Sequence, residues 1–194
     1  MKPRKAACVI AFSLLNLTSQ LLCARAQADW LLEPELNAGS LELSDKLEFS
    51  PGERHENSLG AYALGVQGGF EFANHVFIKA GLTSGETENL LGWQDRIKFY
   101  DLHLSSGVQW PISERVSLLG ALGVSNWDYY TKDQASFKDN QPDKHYSGTG
   151  LEYRAGLNFR FNRLLSMDIY AGGKDWGDYV RYEQYGLSLC FRFE

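Results

Sequence analysis

From Leu59 onward the chain alternates between apolar and polar or glycine residues with a period of two, the signature of strands with one apolar face. Seven segments carry it: 59–72, 75–85, 98–110, 115–127, 149–161, 165–175 and 181–193. In the first, Tyr62, Leu64, Val66, Phe70 and Phe72 share one side, against Ala61, Ala63, Gly65, Gln67, Gly69 and Glu71. The segment 98–110 sets Tyr100, Leu102, Leu104, Val108 and Trp110 against Phe99, Asp101, His103, Ser105 and Gln109. In the last, Tyr185, Leu187, Leu189, Phe191 and Phe193 oppose Gln184, Gly186, Ser188, Cys190 and Arg192.

A soluble sandwich alternates in the same way. The segments are long enough, at ~10 residues or more, to cross a bilayer as tilted strands. Phe70, Phe72, Trp110, Phe159, Phe161, Phe191 and Phe193 stand at the ends of the apolar faces, where a membrane barrel carries its aromatic girdle. Ala73-Asn74, Pro111 to Glu114 and Asn162 to Leu164 make tight turns, while 86–97 and 128–148 are longer polar connections. Short turns on one side and long loops on the other require an even strand number. An eighth strand is therefore expected at 37–49, with Leu41, Leu43, Leu47 and Phe49 on one face, and an amphipathic lid at Trp30 to Leu36 is a further option. The expected fold is all-β, an eight-stranded antiparallel transmembrane barrel, which leaves no sheet edge open to lipid.

The N-terminus fits export. Lys2, Arg4 and Lys5 precede a mostly apolar run from Ala6 to Leu22, and Ala26-Gln27-Ala28 offers a small-x-small cleavage pattern. Residues 1–28 are thus expected to be a signal peptide and 29–194 the barrel domain. Without Lys2, Arg4, Lys5 and Arg25, 15 of the 19 basic residues remain against 24 acidic ones, a formal net charge of −9. That balance argues against nucleic acid. Cys190 is then the one cysteine left, so no internal disulfide can form.

The polar side of the strands carries both signs. Glu71, Asp101, Glu152 and Asp168 share it with Lys79, Arg115, Arg154, Arg160, Lys174, Arg192 and His103. An eight-stranded barrel is just wide enough for its own side chains, so this set is expected to fill the lumen as a paired network rather than to line a pore. Glycines of the same parity, among them Gly65, Gly81 and Gly186, make room for it. His103 beside Asp101 belongs to that network; no second His or Cys at ligand spacing points to a metal, and no cofactor is expected.

The C-terminal strand, Tyr185-x-Leu187-x-Leu189-x-Phe191-x-Phe193, resembles the assembly signal of small outer-membrane barrels of the OmpA/OmpX type, the porin-like β-barrel domain family. Glu194 follows where that family usually ends on the aromatic, and no peptidoglycan-binding domain is expected. The resemblance implies a monomer in the bacterial outer membrane, assembled by the barrel assembly machinery and surrounded by membrane lipid and lipopolysaccharide. His145-Tyr146-Ser147 is similar to the His-x-Ser of outer-membrane lipid A deacylases, but Gly148 stands where those enzymes carry Asn, and Glu152 has the opposite parity. The expectation is therefore a non-enzymatic barrel, with lipid A acyl ester hydrolysis or a narrow channel as alternatives. Any extracellular ligand would meet the loops, where Trp93, Tyr129, Tyr130 and Phe137 are the candidates.

Overall fold

The computed structural model describes residues 28–43, 58–87, 96–132, 144–176 and 180–193. Eight strands account for most of them: β1 (Ala28–Leu43), β2 (Ser58–Phe72), β3 (Val76–Thr87), β4 (Arg96–Pro111), β5 (Val116–Lys132), β6 (Lys144–Arg160), β7 (Leu165–Trp176) and β8 (Val180–Phe193). Each pairs antiparallel with its neighbours in sequence, and β1 pairs with β8 to close the barrel. Closure satisfies the backbone groups that lipid could not.

The three short connections are built from local hydrogen bonds. His75 donates its backbone N–H to Phe72 at 2.8 Å and takes a left-handed φ of 62°. Ser113 Oγ accepts the N–H of Val116 at 3.1 Å. Asn162 Oδ1 accepts from Leu164 and Leu165 at 2.8 and 2.9 Å, the side-chain turn for which asparagine is favoured. These turns lie at the same end of the barrel as Ala28 and Phe193, the periplasmic end by the short-turn rule.

The outer surface is zoned by height. Trp30, Phe70, Trp110, Phe191 and Phe193 face outward near the periplasmic end, with Trp30 and Phe70 in ring contact at 4.1 Å. Leu32, Leu36, Leu104, Leu122, Leu151 and Ile169 follow above them, and Tyr62 and Tyr185 both pair with Ala38 on β1. Eight residues of β1 separate the levels of Trp30 and Ala38. At barrel tilt that is a band roughly 20 Å tall, near the height expected of a lipid-facing belt.

The N-terminal strand differs from expectation. It runs from Ala28 to Leu43, taking in the stretch expected as a lid, while 44–49 lie outside the described residues. Leu41 points inward and is fully buried; the lipid-facing positions are Trp30, Leu32, Pro34 and Leu36. The sequence obscures this because the inward face holds Glu33 and Glu35 and the outward face a proline. Pro34 has no N–H to give a ladder, and the β1–β8 pairing skips Glu33 and Pro34 while keeping register on both sides. The strands also reach further toward the extracellular end than expected, so Tyr129 and Tyr130 belong to β5 rather than to a loop. The expected targeting segment up to Gln27, together with Trp93 and Phe137, lies outside the described residues.

Candidate functional site

The lumen is filled in three layers. At mid-height a lattice of charged side chains crosses from wall to wall. Glu35 on β1 is its hub: Oε2 accepts from Arg154 Nη1 of β6 at 2.8 Å and lies 3.0 Å from the Tyr170 hydroxyl, and Oε1 accepts from Thr83 Oγ1 at 3.0 Å. Arg154 also donates Nε to Glu152. Lys174 contacts Asp101 and lies 3.7 Å from Glu152 Oε2, while His103 Nδ1 lies 3.2 Å from Asp101. Glu33 takes Lys79 at 2.6 Å and the Gln67 amide at 2.8 Å, and Lys79 continues to Asp168 at 3.8 Å.

Toward the periplasmic end, Arg192 gives Nε and Nη2 to Glu71 Oε2 at 2.9 and 2.8 Å. Its Nη1 reaches Ser166 at 3.2 Å. Leu31, Phe77, Leu119, Tyr170 and Cys190 form a small apolar cluster nearby. Glycine makes this filling possible. A Cβ at Gly65 would lie 2.5 Å from Glu35 Oε1, and one at Gly186 would lie 2.2 Å from the Tyr170 ring.

Toward the extracellular end the lumen turns aromatic. Phe99, Trp127, Tyr129, Trp176 and Tyr182 pack with Leu41, Leu59 and Ile97 into one buried cluster. Trp176 lies 5.2 Å from Phe99, 6.1 Å from Trp127 and 5.9 Å from Tyr182, centroid to centroid, and its Nε1 donates to Ser125 at 3.2 Å. Tyr129 is fully buried here, stacked on Trp127 at 5.2 Å. Tyr130, the next residue, faces outward and stacks on His145 at 4.6 Å.

Of the residues expected inside, Glu71, Lys79, Asp101, His103, Glu152, Arg154, Asp168, Lys174 and Arg192 are brought together. Arg115 is not: it is exposed in the turn before β5, because the strand starts one residue later than its parity suggested. Arg160 is half-buried at the last position of β6. Glu33, Glu35, Asn37 and Tyr170 join the lattice beyond the expected set: Glu33 and Glu35 precede the strand expected at 37–49, Asn37 shares the parity of Leu41, which turns inward, and Tyr170 has inward parity but no charge. The alternation of Trp30, Leu32, Pro34 and Leu36 was the signal that could have found them.

Two further chemistries can be weighed on geometry. Asp101, His103 and Glu152 bring ligand atoms within 4.8 Å of one another. The Lys174 ammonium already contacts Asp101 and approaches Glu152, so an internal cation already serves two of the three groups. His145 and Ser147 share the outer face. The His145 Nε2 is 2.5 Å from Asp128 Oδ1 and its ring lies flat on Tyr130, so a carboxylate engages one ring nitrogen and Nδ1 is the one left to act toward a serine. Glu152 is buried inside, on the opposite face.

The lattice leaves little space. The cavity between Gln67, Phe77, Lys79, Leu119, Arg154 and Asp168 measures about 10 Å³, at the lower limit for a single water.

The comparisons with known proteins agree with this architecture. The family model for the outer membrane protein beta-barrel domain matches residues 7–193. Among solved structures, Neisserial surface protein A superposes with a TM-score of 0.66 at 12% identity, over 86% of this chain and 99% of that one. OprG of Pseudomonas aeruginosa gives 0.58 at 16% identity, covering 86% and 96%. Ail of Yersinia pestis gives 0.56 at 19%, covering 86% and 99%. No curated protein sequence matches the chain.

Proposed function

Because this chain belongs to the outer membrane protein β-barrel domain family, and so resides in the bacterial outer membrane, we propose that it is a non-enzymatic barrel whose structural or surface-interaction role is carried by its extracellular end. The observation behind this reading is the filled lumen. Among the described residues, a lattice spanning the barrel from Glu35 to Arg154 and an aromatic plug above it occupy the lumen, which supports a barrel that does not conduct. A barrel filled in this way acts through what it presents to membrane and medium. The membrane face is covered by lipid; what remains is the rim and the connections that join the strands at that end, 44–57, 88–95, 133–143 and 177–179.

The chemistry available there suits a protein or glycan contact. Trp93 and Phe137 are aromatic anchors set among charged residues in those connections, the mixture that interfaces favour. At the rim below, Tyr130 and Tyr100 meet edge to face at 6.4 Å. Lipid and lipopolysaccharide are the expected surroundings, and the assembly machinery the expected partner in biogenesis.

Three measurements test this together. Planar-bilayer recordings of the purified barrel should show no conductance steps above the bare bilayer. Lipid A from cells expressing the chain should keep its acyl pattern by mass spectrometry. Replacing 88–95 and 133–143 with short Gly-Ser connections should leave a heat-modifiable barrel that has lost binding of whole cells to a glycan or matrix-protein array. Discrete conductance, or a missing acyl chain that Ser147→Ala restores, would overturn the non-enzymatic, closed-barrel reading.

A further inference from the structure

The outer wall carries a groove of about 770 Å³, within the size range of small-molecule sites. Strand register explains its shape. Leu64, Ser84, Tyr100, Asp128 and Ser147 are successive partners across β2 to β6, and Val66, Leu82, Leu102 and Asn126 form the adjacent row. Four interstrand steps make the first row up to about 19 Å long, and three make the second about 14 Å. At the β2 and β3 end the outward lining is Leu64, Val66 and Leu82 beside Ser84; Leu64 and Leu82 are both more than half exposed. Those at the β5 and β6 end, Asn126, Asp128 and Ser147, are short and polar.

This division follows depth in the membrane. Leu64 lies six residues from the extracellular end of β2, whereas Ser147 lies three from that of β6. The aliphatic end therefore sits within the apolar belt and the polar end at its upper margin. An amphiphile with its chain down and its head up fits that gradient.

The head's chemistry can be narrowed by charge. Ser84, Tyr100, Asn126 and Ser147 offer neutral donors and acceptors beside the Asp128 carboxylate. Among the described residues nearby, Lys98 lies 3.9 Å from Glu86, and the His145 ring nitrogen Nε2 lies 2.5 Å from Asp128 Oδ1. A phosphate would want a clamp of Arg or Lys, which the lining lacks. Hydroxyls of a sugar would find an acceptor at Asp128 and partners at Asn126 and Ser147.

We propose that this groove seats one outer-leaflet glycolipid, its acyl chain along Leu64, Leu82 and Leu102 and its sugar hydroxyls on Asn126, Asp128 and Ser147. The seat is a binding site on the barrel wall, separate from any contact made by the loops, so it stands or falls independently of the surface role proposed above.

The test is native mass spectrometry of the full barrel released from mixed micelles holding equal amounts of a glucosyl diacylglycerol, phosphatidylglycerol and phosphatidylcholine. One glucosyl lipid should be retained per barrel, at least ten-fold over either phospholipid. Ser84→Phe with Ser147→Phe fills the groove and should lower retention ten-fold or more, while Leu157→Phe on the outer face of β6 leaves it unchanged. Asn126→Leu, a single change that removes head contacts without adding bulk inside the barrel, should lower the preference for the sugar head several-fold. Heat-modifiable mobility verifies that each variant is folded. Equal retention of all three lipids would mean an ordinary lipid annulus and overturn the proposal. So would unchanged retention in the filled variant or in Asn126→Leu.

Discussion

The two main layers of the lumen solve the same packing problem with opposite chemistry. At mid-height, Glu35, Arg154, Lys79 and Asp168 fill space with charge; toward the extracellular end, Trp127, Tyr129, Trp176 and Tyr182 fill it with rings. An ionic lattice stabilises little beyond what desolvation costs, yet it penalises any arrangement that separates its partners. A ring cluster stabilises through buried area and tolerates small displacements. The lattice therefore penalises mispaired arrangements across the barrel, and the plug is the larger of the two apolar clusters among the described residues inside. Breaking one layer should leave a different defect from breaking the other.

The largest effect is expected in the lattice. Among the described residues, six buried carboxylates (Glu33, Glu35, Glu71, Asp101, Glu152 and Asp168) face four buried cations (Lys79, Arg154, Lys174 and Arg192). Loss of a cation is therefore worse than loss of a carboxylate. Arg154→Leu removes the cation paired with Glu35, leaves Glu152 with Lys174 at 3.7 Å, and should cost about 4 kcal/mol, in the range for an uncompensated buried charge, read as urea unfolding in lipid vesicles. Glu35→Leu should cost visibly less, because Arg154 keeps Glu152. Equal losses would mean that the lattice acts through packing and not through charge.

Trp176→Ala comes next. It removes the ring that joins Phe99, Trp127 and Tyr182 and should cost about 3 kcal/mol, as large-to-small changes in a core do. The barrel should still block ions, since the lattice below is untouched. Bilayer recordings check that, and Arg154→Leu combined with Trp176→Ala should add to within ~0.5 kcal/mol if the layers are independent.

Much of this was legible and some was not, for physical reasons. Strand parity brought out Glu71, Lys79, Asp101, Glu152, Arg154 and Asp168 as inward because a period of two leaves no choice once the outward face is apolar. The partners were not legible. Glu35 and Arg154 are 119 positions apart and meet across the barrel, a pairing set by tilt and stagger that no local pattern encodes. Tyr129 and Tyr130 show a different failure. The polar stretch from Asp128 to Asp133 reads as loop by composition, yet the parity of Trp127 simply continues, so one tyrosine enters the plug and its neighbour faces out. Turn-forming asparagine and short connections, by contrast, act locally and were readable at Asn162.

Gly186→Val tests the space beneath the plug. Its new side chain would meet the Tyr170 ring and Asn37 Oδ1, pressing on the hydroxyl that lies 3.0 Å from Glu35 and 2.7 Å from Asn37. Overpacking of this kind costs about 2 kcal/mol, measured by the same unfolding transition. Adding Tyr170→Phe removes that hydroxyl but keeps the ring; if the loss is steric it should persist, whereas recovery would place the fault in the hydrogen bonds.

The smallest effect is expected at a hydrogen-bonded pair that stands outside. His145 Nε2 and Asp128 Oδ1 are 2.5 Å apart, closer than the 2.8 Å between Arg154 and Glu35. Their side chains are 49% and 37% exposed, against 5% and 0% for the buried pair. Water and salt screen the outer pair, and exposed ion pairs contribute between nothing and about 1 kcal/mol. His145→Ala should therefore change unfolding by less than about 1 kcal/mol, part of that from the Tyr130 ring contact. His145→Phe keeps a ring on Tyr130 and separates the two contributions. A loss near that of Arg154→Leu would mean that membrane and loops shield Asp128 as fully as the lumen shields Glu35, and burial would no longer distinguish the wall from the core.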